Sequence, residues 1–265
     1  MERVAELGPW ILGLAALAQV WAIGLWRWYR RGEVEIYESG VIEVGYGTFG
    51  ATIGLVGTLQ AVHKEVFVER LGLVVTRERD GATHEFSWRA LRPRTISLSG
   101  TQDQELELPF SFLLKPTDPF RYNVFFVDDA LLAELKPEVD PVARGWFEFR
   151  RDRLAELQSE DNAALKMLAE DSRTDEVLYK EYSKSEEVVK AYTTLDRGCY
   201  WTPGQYRLEL LVECSSPKKV FTKKWRFELT EDDADELHRN SVSVLRSITG
   251  FQTFFSFAHA EYEDP

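Results

Sequence analysis

The chain has 265 residues, with 32 basic and 44 acidic side chains and a formal net charge of −12 at pH 7. That balance excludes a protein that grips nucleic acid through bulk charge, because nucleic acid is itself a polyanion. Two cysteines, Cys199 and Cys214, agree with a reducing compartment without demanding one.

The first element is Leu7 to Trp26, twenty residues without a charge. Twenty helical residues rise about 30 Å, the thickness of the hydrocarbon layer of a bilayer. Trp10 lies near one end and Trp21 inside, and Trp26, Trp28 and Tyr29 crowd the other end, where amphipathic rings sit at headgroup level. Residues 1–33 are therefore expected to form one transmembrane anchor. A secretory signal with cleavage near Ala16-Leu17-Ala18 fits less well, because MERVAEL lacks a basic leader. A core helix seldom needs so long an uncharged run, and an interfacial helix needs a polar face. Arg27, Arg30 and Arg31 come directly after the span, so the bulk of the chain is expected on the cytoplasmic side of a single-pass protein.

The first 31 positions hold four basic and two acidic residues, leaving 28 against 42, or −14, for the rest. No Pro- or Gly-rich linker and no fixed-period repeat divides it. From Val34 to Val127 apolar and polar residues tend to alternate, as in VEIYESGVIEVGYG, VFVERLGLVVTRERDG and ATHEFSWRAL. Asp80-Gly81 between two such runs is a hairpin signal. Arg94 to Leu98, Glu105 to Phe112 and Tyr122 to Val127 add shorter candidates. Gly45-Tyr46-Gly47-Thr48-Phe49-Gly50 spells the dinucleotide-binding G-x-G-x-x-G. The next residues, ATIGLVGTLQAV, are poor helix material, so a turn between strands is the expectation. Val44 to Val62 also carries no charge and contains GxxxG, which leaves a second membrane segment as an alternative.

Helix formers take over from about 128 to 195. VARGWFEFRRDRLAELQSEDNAALKMLAED reads as one helix and DEVLYKEYSKSEEVVKAY as a second. Strand alternation returns in YWTPGQYRLELLVEC and, after SSPKK, in VFTKKWRFELT, a second hairpin. Thr230-Glu231-Asp232-Asp233 places a cap and three carboxylates at the start of a helix expected to reach Ile248 and stop at Thr249-Gly250. The tail FQTFFSFAHAEYEDP is read as a further strand, with Phe251, Phe254, Phe255 and Phe257 as the alternative, a partner-binding segment.

Thr202-Pro203-Gly204-Gln205-Tyr206, opening an alternating strand, resembles the tyrosine corner of immunoglobulin-like domains. The resemblance covers about a dozen residues and implies an antiparallel β-sandwich, with a helical insertion at about 128–195 inside a domain of 34–229. A C-terminal helix and tail would occupy 230–265. Cys214 lies too far past Tyr206 for the antibody disulfide pattern, so both thiols are expected free and buried.

Chemistry is sparse. His63, His84, His238 and His259 have no zinc spacing, and Asp235 and His238, sharing a helix face, are expected to form a solvated ion pair in preference to a metal pair. Asp128-Asp129, at a strand end, reads as a turn or helix cap in preference to a cation site. No nucleophile-elbow, kinase or Walker pattern occurs, and no cofactor is implied. The expectation is a membrane-anchored, non-catalytic binding or scaffolding module acting through protein–protein contacts, its protein partner unknown. Alternatives are a membrane-tethered hydrolase with an unrecognised carboxylate site and a membrane-acting effector or immunity-type component.

Overall fold

The computed structural model describes residues 19–23, 32–91, 107–159 and 172–263. Among the described residues no helix is long and apolar enough to cross a membrane. The span expected at Leu7 to Trp26 lies outside them except for residues 19–23, which are helical and exposed. Arg94 to Leu98 also falls outside.

Among the described residues ten strands form one antiparallel sheet: β1 (Glu33–Glu38), β2 (Ile42–Gly47), β3 (Gly50–Val62), β4 (Val66–Arg77), β5 (Thr83–Leu91), β6 (Phe112–Leu114), β7 (Phe120–Val127), β8 (Gly204–Ser216), β9 (Lys218–Leu229) and β10 (Phe257–Ala260). The order is β10-β2-β3-β7-β5-β4-β8-β9, with β1 on β3 and β6 on β4. The sheet curls until its ends meet. Glu263, just past β10, exchanges both backbone hydrogen bonds with Arg226 of β9, each 2.9 Å. This corrects the two-sheet sandwich implied by the corner: the strands belong to one sheet, because β5 bridges β4 to β7 and joins the would-be halves. The corner bond itself is present. Tyr206 donates to the Thr202 carbonyl at 2.8 Å and accepts from the Thr202 N–H at 2.9 Å.

One end of the barrel, the near end, carries Gly32, the β3–β4 and β6–β7 turns and the β8–β9 turn. The far end carries the β2–β3 and β4–β5 turns, the entry to β8 and the helices. Helix α1 (Asp129–Ser159) comes directly after β7, then α2 (Ser172–Tyr182) and α3 (Glu186–Gly198). The expected second helix is two, because Ser185 caps α3 by accepting from the Val188 N–H. α1 starts before Val142 and runs through Pro137 and Pro141. Each proline costs on the order of 3 kcal/mol in a helix interior. The buried stripe Leu131, Leu135, Val142, Trp146 offsets that cost. α4 (Glu231–Ile248) has the expected cap, with Thr230 and Asp233 forming a reciprocal capping box.

The helices explain the uncharged run at 44–62. β2 and the first half of β3 have the barrel core on one face and helices on the other, and all six residues from Gly50 to Leu55 are buried. A strand covered on both faces loses its alternation and reads as continuous apolar sequence. The segment is a hairpin, not a helical span. Its G-x-G-x-x-G is the turn, with Gly50 at φ +72°. No helix N-terminus succeeds it to receive a phosphate.

Candidate functional site

The far end holds a concave site built from three strand ends. Asp128 lies at the end of β7 and caps α1, accepting the Leu131 N–H at Oδ1 at 2.9 Å. Tyr200, just before β8, donates its hydroxyl to Asp128 Oδ2 at 2.9 Å. His84, the second residue of β5, puts Nδ1 3.4 Å from the same oxygen. Its ring stacks on Tyr200 with centroids 3.6 Å apart and planes 14° off parallel. A cleft of about 470 Å³ opens over this cluster, with Glu134 of α1 and Thr194 and Arg197 of α3 on its other walls.

Electrostatics holds Asp128 ionised although only 3% of it is exposed. Burial pushes its carboxyl up, but hydrogen bonds from His84, the Leu131 N–H and Tyr200 outweigh burial and leave it below the usual range. Tyr200 is driven far up by burial and by the adjacent carboxylate, so it stays a hydrogen-bond donor. Beside it, burial raises the Cys199 thiol to about 12. Cys199 and Cys214 are free and buried, as expected, and neither is a reactive thiolate.

The neighbours fix the cluster in place. Arg77, paired with Asp80 of the hairpin turn, donates to the Tyr200 carbonyl at 3.3 Å and to Thr202 Oγ1 at 3.0 Å. Trp201 is fully buried and donates to the Gly45 carbonyl at 3.1 Å. Tyr46 donates to the Leu195 carbonyl at 2.6 Å, joining β2 to α3.

With Nδ1 directed at Asp128, the other ring nitrogen of His84 makes no hydrogen bond among the described residues, and neither does the Arg197 side chain. The site can therefore offer a ring nitrogen, a guanidinium and the Glu134 carboxylate to whatever enters. Among the described residues no group of three or more His, Cys, Asp or Glu is placed to hold a metal ion.

The residues singled out from the sequence lie elsewhere. Trp10, Trp26, Arg27, Trp28, Tyr29, Arg30 and Arg31 fall outside the described residues, and Trp21 is 68% exposed. The four tail phenylalanines do not share a patch. Phe251 packs on Trp146 and Tyr179, under Arg246. Phe255 is half-buried against Gly47, and Phe257 opens β10, the expected strand, which pairs with β2. Phe254 stands in solvent, 94% exposed, and Phe257 is 37% exposed. His238 pairs across helices with Asp196 of α3 at 3.4 Å, not with Asp235 on its own helix.

In the sequence Asp128 reads as a cap and His84 only as one of four scattered histidines. Asp128 is 44 residues from His84 and 72 from Tyr200 in the chain, so only the strand pairing reveals the cluster. The usable signal is a carboxylate at a strand end together with an aromatic doublet, Tyr200-Trp201, before the corner. Comparison with protein-family models, with curated proteins and with solved structures finds no match to the chain.

Proposed function

We propose that the chain is a membrane-anchored binding module that holds its recognition cleft on the cytoplasmic side, at the end of the barrel remote from the anchor. The observation that carries this reading is the far-end cleft, open to solvent, with the second ring nitrogen of His84 and the Arg197 guanidinium unengaged beside a carboxylate held by His84, Tyr200 and the Leu131 N–H. Val66, beside the anchor's exit, and Val75, which pairs with His84, are separated by about 30 Å of β4 at ~3.3 Å per residue. A cleft so placed projects away from the bilayer toward a protein partner. The chemistry it suits is a hydrogen-bonding side chain of that partner, met by the His84 ring nitrogen and by charges of both signs on the rim.

The test is a photo-crosslinking residue at Thr194 in the full chain, kept in its own membranes. A discrete crosslinked product that disappears with Arg197→Glu or His84→Ala is expected. Crosslinks that ignore both substitutions, or that form only away from the cleft, would sink the proposal.

One observation favours a second reading, a membrane-tethered hydrolase. An imidazole held at Nδ1 by a carboxylate leaves Nε2 placed to take a proton from water. Turnover of an ester, amide or phosphoester panel that is lost in His84→Ala would establish it. A chain inert to the panel, yet crosslinked at the cleft, returns the binding reading.

A further inference from the structure

The near end differs from the rest of the surface. Gly32, where the chain arrives from its N-terminal segment, lies so close to β4 that a Cβ there would sit 2.8 Å from the Val66 side chain. Leu113 and Leu114 of β6 pair with Phe67 and Val66, and Ser216 at the end of β8 also pairs with Phe67. Gln60, near the end of β3, reaches the Pro116 carbonyl at 3.4 Å. Three turns and the chain's point of entry are therefore neighbours.

On this rim Lys64, Lys115, Lys218 and Lys219 are exposed, and Phe67 and Leu113 face solvent at 37% and 46%. Glu33, Glu65 and Asp118 share the rim, so its four lysines outnumber its three carboxylates. That sign is opposite to the −14 carried by residues 32–265 as a whole.

We propose that this rim rests on an anionic bilayer surface, the lysines on lipid phosphates and the Phe67–Leu113 pair in the interface. The inference rests on the reading of Leu7 to Trp26 as a membrane span. Juxtamembrane basic groups are drawn to the negative leaflet, and exposed apolar side chains beside them gain by leaving water. The rim steadies the barrel on the membrane and keeps the far-end cleft turned outward.

The experiment uses the full chain in phosphatidylcholine vesicles with or without phosphatidylglycerol, with a fluorophore on Leu113→Cys or, as control, on Arg79→Cys in the far-end turn. The native cysteines are buried. Spin-labelled lipid should quench the residue-113 probe in anionic vesicles and leave the residue-79 probe bright. A Lys64→Glu, Lys115→Glu, Lys218→Glu variant should lose the quenching. A residue-113 probe as bright as the control in chains that resist carbonate extraction overturns the rim proposal while the span stands. Chains that carbonate extracts overturn the span reading, and the rim's placement with it. Energy transfer between two chains labelled at 113, without lipid quenching, would make the rim a dimer face and the proposal wrong.

Discussion

The two ends of the barrel are stabilised by different means. At the near end short turns close the strands, Phe67 and Leu113 are left facing solvent, and the buried Tyr122 hydroxyl finds no partner among the described residues. At the far end every strand runs into something that fixes it: a cap at Asp128, a corner at Tyr206, the Arg77 bridge, and helices over β2 and β3. The polar groups of the Asp128 cluster are matched to partners, although among the described residues the Ser241 hydroxyl on α4 and the Trp225 indole N–H on β9 are not. The contrast teaches that side-chain hydrogen bonds, a cap and a corner tie the strand ends beside the cleft, while the end nearest the chain's N-terminal segment is held mainly by strand pairing and apolar packing.

The largest expected effect comes from cutting the seam. Ending the chain after Gly250 removes β10, the Glu263 bridge, and the packing of Phe251, Phe255 and Tyr262. At about 1.5–3 kcal/mol per buried large apolar side chain, the loss should exceed about 5 kcal/mol. A truncated chain that melts at the full-length temperature would return the tail to the list of recognition segments and leave closure of the sheet without consequence.

Next is Asp128. Asp128→Ala deletes the α1 cap and strands the Tyr200 hydroxyl, which should cost about 2–4 kcal/mol. Asp128→Asn keeps a capping oxygen and should cost less. The lowered carboxyl sets the pH dependence: the unfolded chain binds this proton more readily than the folded one. Its share of stability is therefore complete above the ordinary carboxylate range and lost as pH falls through the depressed value. Denaturant titrations from pH 7 downward should show a shallower acid limb in Asp128→Asn. An unchanged limb would mean that the far-end network carries no charge-dependent stability.

Two tyrosines, both 2% exposed, sharpen the contrast further. Tyr206→Phe loses two hydrogen bonds to Thr202 and should cost about 1–3 kcal/mol. Tyr122→Phe removes an unpartnered hydroxyl and should be neutral within about 0.5 kcal/mol, or stabilising. Equal losses at the two sites, read from chemical melts, would erase the difference between the ends.

Much of the architecture was legible because it rests on local rules. Asp80-Gly81 marks a hairpin through its turn geometry, Thr230 starts α4 through its cap, and Thr202 to Tyr206 encode a bond only four residues long. What stayed hidden depends on contacts across the chain. The hairpin at 42–62 carries no clear alternation because helices from residues 129–248 cover its outer face. The Tyr206–Thr202 bond is formed, yet it specifies one loop and not the number of sheets; β5, by joining β4 to β7, decides that. The cleft was hidden for the same reason. Its three principal residues lie at the ends of strands that are neighbours only after the barrel forms.

The attachment of β1 has a mechanical meaning. Glu33 lies opposite Val62 and Glu38 opposite Gly57, so the chain enters β1 at the near end and runs inward along β3. If the cleft holds a partner while Gly32 is held by the membrane, the pull between them is directed along the strand axis. Six paired positions then resist sliding together, instead of parting one after another as they would if β1 were peeled sideways. A tether at Gly32 would then load the barrel in the direction in which a sheet is hardest to tear.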